Sequence, residues 1–145
     1  MKGDISKLCQ LDRYALDVEA EGAAANLQTY SADLAKAKIS SMDAELNLKK
    51  ITYQVELDIR RDDPKAYGLD KFTEASITAL VGVSDKVETA KQIYIEAKGE
   101  QLELEANVEA LREKCDQIKN LVSLWIGGYF AEPSSGKSRK AEMGK

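Results

Sequence analysis

The clearest regularity in this chain lies in its second half. Steps of four and three residues from Val83 pick out Val83, Val87, Ala90, Tyr94, Ala97, Gln101, Leu104, Val108, Leu111, Cys115, Ile118, Val122 and Trp125. Gln101 is the one polar residue in that series. A stripe that keeps this spacing over about six heptads is how one helix buries a seam against another. The first half carries a similar stripe at Leu27, Tyr30, Leu34, Ala37, Ser41, Ala44, Leu48, Ile51 and Val55. Ala23, Ala20, Leu16 and Cys9 extend it upstream more loosely. Gly22 marks an expected kink there, because glycine costs about 1 kcal/mol against alanine inside a helix.

Between the stripes lies RRDDPKAYGLDKFTEAS, residues 60 to 76. Asp63-Pro64 and Tyr67-Gly68 are stop and turn signals. A helix start follows. Thr73 is a good N-cap, and Glu74 puts negative charge against the positive end of the helix dipole. Phe72 and Ile77 have the spacing of a hydrophobic staple. Ser84, within VGVSD, offers a second start. The pattern predicts a first helix over about 4–60, a bend at 61–72, a short helix over about 74–82 and a long helix over about 85–126. Residues 1–132 form one helical domain on this basis, and 133–145, PSSGKSRKAEMGK, read as a disordered basic tail.

Two striped helices joined by a short bend predict an all-α fold, a long antiparallel hairpin with coiled-coil character. An arm of about 30 residues would run roughly 45 Å. In one register Val55 faces Val87, Leu48 faces Tyr94, Leu34 faces Val108 and Leu27 faces Cys115. Ser41 then meets Gln101, a polar layer of the kind that fixes register at some cost in stability. A second apolar row, Ile39, Met42, Leu46, Tyr53 and Leu57, lies off the seam. An isolated hairpin would leave it in water, and that much apolar surface calls for a cover. Either residues 4–20 pack on it as a third helix, or other subunits do. Trp125 joins these residues as a candidate for a homo-oligomer interface.

Composition agrees with this picture and narrows the chemistry. Of the 145 residues, 43% are hydrophobic, 32% charged and 6% aromatic, a mixture suited to long helices. There is no histidine, which removes Ser-His and Cys-His nucleophile pairs and the commonest zinc ligand. Cys9 and Cys115 lack metal-ligand spacing and read as free thiols of a reducing cytoplasm. No secretory signal and no membrane span is expected. Asp62, Asp63, Asp70 and Glu74 do not have the spacing of a calcium loop, and serve as turn and cap residues instead. No phosphate-binding glycine loop is present, no catalytic constellation assembles, and neither an enzyme nor a cofactor is expected.

The formal net charge of −4 does not advertise a nucleic-acid binder. Local basic clusters remain. Arg60 and Arg61 end the first helix, where cations meet the negative end of the dipole. With Lys49, Lys50, Lys65 and Lys71 they could also track a nucleic-acid backbone. Lys137, Arg139 and Lys140 of the tail could add to this. Trp125, Tyr129 and Phe130 either cap a core or stack on bases.

The order of these segments resembles phage recombination mediator proteins of the UvsY type. The stretches that carry the resemblance are LQTYSADLAKAKISSMDAELNLKK, YGLDKFTEASI, AKQIYIEAKGEQLELEANVEALREKCDQIKNLVSLW and GGYFAEP, over about residues 27–133. The resemblance implies a non-enzymatic, helical, ring-forming protein that binds single-stranded DNA. Such a protein helps a recombinase displace single-strand-binding protein, in the cytoplasm of the host where phage-encoded. It also implies DNA contacts near the end of the first arm, the region of Lys49, Lys50, Arg60 and Arg61. The other reading is a structural or chaperone-like coiled-coil protein with a protein partner, a phage assembly factor or a prefoldin-like protein.

Overall fold

Four helices form where the apolar stripes and caps fall. In the computed structural model, which describes residues 4–128, they are α1 (Ile5–Leu8), α2 (Leu16–Arg61), α3 (Glu74–Gly82) and α4 (Asp85–Ile126). A 3₁₀ turn, Pro64–Tyr67, lies between α2 and α3. No strand occurs among the described residues, and none of their helices is long and apolar enough to cross a membrane. The two long helices pack together as a hairpin, the fold the stripes predict. Tyr129, Phe130 and the tail cations Lys137, Arg139 and Lys140 lie outside the described residues.

The chain divides into two units, Asp33–Glu105 around the bend and a second whose described residues are 4–32 and 106–128. In the unit around the bend, Ala37, Ser41, Ala44, Val55, Ile59, Ala90 and Leu104 are buried. The small residues among them allow close approach of the two helices. Near the bend Val55, Ile59 and Ile77 form one cluster, with Ile51, Phe72, Leu80, Val81 and Val87 packed against it. Val55 and Val87 thus share a cluster, and the Phe72–Ile77 staple is formed. Ile59, one turn beyond Val55, belongs to this core although the stripe ended at Val55. Val83 departs from the stripe in the other direction. It is 77% exposed, because it caps the C-terminus of α3 instead of entering α4.

The bend owes its shape to local side-chain bonds. Asp63 accepts from the Lys65 N–H at 3.1 Å and starts the 3₁₀ turn, with Pro64 at its first position. Gly68 closes the turn at φ 74°, in the left-handed region that glycine enters without a side-chain clash. Thr73 then caps α3 as expected. Its hydroxyl accepts from the Ser76 N–H at 3.1 Å, and the Ser76 hydroxyl accepts from the Thr73 N–H at 2.9 Å, a reciprocal capping box. α4 opens after Ser84, whose carbonyl accepts from the Glu88 N–H at 2.9 Å.

In the second unit, Ala23, Tyr30, Val108, Leu111 and Ile118 are buried, with Leu111 fully enclosed. The helix expected over about 4–60 is broken here, and not at Gly22. The Asp12 carboxylate accepts from the Tyr14 N–H at 2.9 Å, a local bond that competes with helix formation. α2 starts after that turn and continues through Gly22. Lys114 is 7% exposed and donates to Glu19 Oε2 and to the Leu8 carbonyl, each at 2.7 Å. The register that sets Val55 against Val87 would place Glu19 opposite Ser123. That position is about 13 Å along the helix from Lys114, so the register within this unit is shifted.

Candidate functional site

Two surfaces carry most of the residues singled out from the sequence, and both belong to the unit around the bend. The first is the bend. Arg60, at the end of α2, is committed to the protein. Its guanidinium donates to Glu56 Oε1 at 2.9 Å and to Glu74 Oε2 at 2.9 Å. The bonds it donates to Glu74 and then Glu56 push the Arg60 pKa above its ordinary range. The same bond from Arg60 holds the Glu74 carboxyl below its ordinary value. Arg60 therefore ties the last turn of α2 to the first turn of α3. Asp62 is also engaged. It accepts from the Tyr67 hydroxyl at 2.6 Å, which raises the pKa of the phenol. The Tyr67 and Phe72 rings lie 6.0 Å apart beside it.

Arg61, Lys65 and Lys71 are exposed and make no ion pair among the described residues. Arg61 lines a shallow groove of about 460 Å³ together with Ile51, Gln54, Val55, Leu57, Asp58 and Lys86. Lys86 was not among the sequence candidates. Its signal is weak, a lone lysine in the first turn of α4 beside Asp85. Farther along α2, Lys49 pairs with Glu45 at 3.3 Å and Lys50 is exposed. The six basic candidates thus divide into Arg60, held in the corner, Lys49, paired on its own helix, and four exposed cations. Among the described residues no three of Cys, Asp or Glu gather as a metal-binding group.

The second surface is the outer face of α2. Ile39, Met42, Leu46, Tyr53 and Leu57 are all exposed, Tyr53 by 64%. Ile39, Leu46, Tyr53 and Leu57 each lie two residues beyond a seam residue: Ala37, Ala44, Ile51 and Val55. Two residues are about 200° of helix rotation, so the row stands opposite the seam. The cover expected from residues 4–20 is not formed, since the row is exposed; Leu8 is bonded instead by Lys114 of its own unit. Trp125 belongs to that same unit and is 37% exposed. The polar pair of the predicted seam is half realised. Ser41 is buried, while the half-buried Gln101 amide donates along its own helix to Glu105 at 2.9 Å.

Both surfaces have the character of binding faces. One offers an apolar helix face, the other flexible cations next to a shallow groove. Compared with protein-family models, curated proteins and solved structures, the chain matches none.

Proposed function

We propose that this chain is a non-enzymatic recombination mediator that binds single-stranded DNA as a homo-oligomer. In this role it helps a recombinase form its filament in place of single-strand-binding protein. The observation that carries the reading is the two-sided α2. One apolar face meets α4 and the opposite face is bare, as a self-assembling helical protein requires. The resemblance supplies the ligand and the partners. Arg61, Lys65, Lys71 and Lys86 are the cations on the bend side that supply a backbone contact, with Lys50 along α2.

Because Arg60 ties α2 to α3, it is left intact in the test. Anisotropy of a labelled single-stranded oligonucleotide is expected to show binding that weakens steeply with salt. Replacing Arg61, Lys65 and Lys71 together by alanine should lower the slope of log K against log salt by about 2, given roughly 0.7 per contact on single strands. Circular dichroism of that variant should be unchanged. No binding at low salt would sink the reading.

One observation favours the second reading, a coiled-coil scaffold for a protein partner. Asp58, Asp62, Asp63, Asp70, Glu74 and Asp85 crowd the same bend and offset its bases. That reading expects no DNA affinity and a pull-down dominated by one protein.

A further inference from the structure

The outer face of α2 carries a charge pattern that specifies its own partner. Ile39, Leu46 and Tyr53 recur every seven residues, with Met42 and Lys49 between them. This is a second heptad seam, on the opposite side of the helix from the first. Its two borders are charged. Lys38 and Glu45 flank one side, and Asp43 and Lys50 the other. Lys38, Asp43 and Lys50 form no ion pair among the described residues, and Glu45 bonds Lys49 within its own helix.

In a parallel, in-register pair of helices, each residue on the first border faces the residue five positions later on the second border of its partner. Lys38 then meets Asp43 of the other copy, and Glu45 meets Lys50. Both contacts are attractive, and symmetry makes each of them twice. An antiparallel alignment that overlays the two apolar rows faces each border with itself. It sets Asp43 against Lys50 but leaves Lys38 and Glu45 without an opposite charge. Like charges on facing borders are also a device that excludes wrong alignments. Lys49 falls inside the seam beside its own counterpart, with Glu45 next to it. A charged layer of this kind lowers stability but specifies register.

We infer that the outer face of α2 pairs with the same face of a second copy of this chain, the two helices parallel and in register. This deepens the homo-oligomer part of the proposed function. It is tested without DNA, so its failure is separate from a failure to bind single strands.

The test uses the full chain and its mass by light scattering at high micromolar concentration, with circular dichroism alongside. The chain alone is expected at twice its 16.0 kDa or more. Leu46→Glu, on an exposed position, should reduce the mass to that of one chain with helicity retained. Asp43→Lys should weaken assembly several-fold by setting Lys38 against a new lysine. Adding Lys38→Glu to that variant should restore it. A wild-type monomer overturns the proposal, as does an assembly that Leu46→Glu leaves intact. Failure of Lys38→Glu to rescue Asp43→Lys overturns the parallel register, because no antiparallel alignment of the rows brings those two positions together.

Discussion

Arg60 and Lys114 are both cations held by carboxylates of the protein, and only one of them stood out in the sequence. Arg60 was conspicuous as half of an Arg-Arg pair, and its two carboxylate partners lie four and fourteen residues away. Lys114 was passed over because lysine is ordinarily a surface residue. A positional signal for it existed. It lies three residues after Leu111 and four before Ile118, on the buried side of α4. The glycines permit a prediction at this scale. Gly22 and Gly99 sit inside α2 and α4 without positive φ, and a Cβ added at either meets nothing within 4 Å. Gly22→Ala and Gly99→Ala are each expected to stabilise the chain by about 1 kcal/mol, read from the urea midpoint. The two share no neighbour, so the double variant should show the sum. A loss of stability in either would mean that its glycine serves a contact that alanine blocks.

At the scale of elements, the corner between α2 and α3 is the most legible part of the molecule. α3 and α4 span 74–82 and 85–126, the ranges read from their caps and stripe. Such starts are readable because the cap, first-turn charge and staple are local and mutually consistent. The break before α2 was missed because one Asx turn at Asp12 overrides an otherwise helical run. The Arg60–Glu74 bond gives the corner a pH dependence whose sign is determined. Glu74 titrates below its ordinary value of 4.5 in the folded chain. Such a carboxylate stabilises the fold above the unfolded-state value and loses that effect as pH falls through the folded one. Glu74→Gln should therefore lower the thermal midpoint at neutral pH and converge with the parent in strong acid. Melting curves across that range check this, and an offset that is the same at every pH would count against it.

At the scale of the whole molecule, the all-α hairpin and the bare outer row could be read from periodicity, since both depend on spacing along one helix. Register could not, because it depends on which side chains reach across. Lys114 and Glu19 settled it within their unit. The ties differ greatly in sequence span. Arg60 and Glu74 are 14 residues apart, whereas Lys114 and Leu8 are 106 apart. Closing the longer loop from an open chain costs about 2 kcal/mol more in entropy. The chain should therefore zip from the bend outward, with the Lys114 clasp closing last. On a ribosome, Leu8 waits for 106 further residues to be made before its lysine appears. Lys114→Met should destabilise the chain by about 2 kcal/mol, and in native-state hydrogen exchange the amides of Ile5–Leu8 should open well before those near Ile59 and Ile77. Simultaneous opening would remove the argument. The N-terminal turns are then a latch on a finished hairpin, and any force or protease that frees them acts first on that latch.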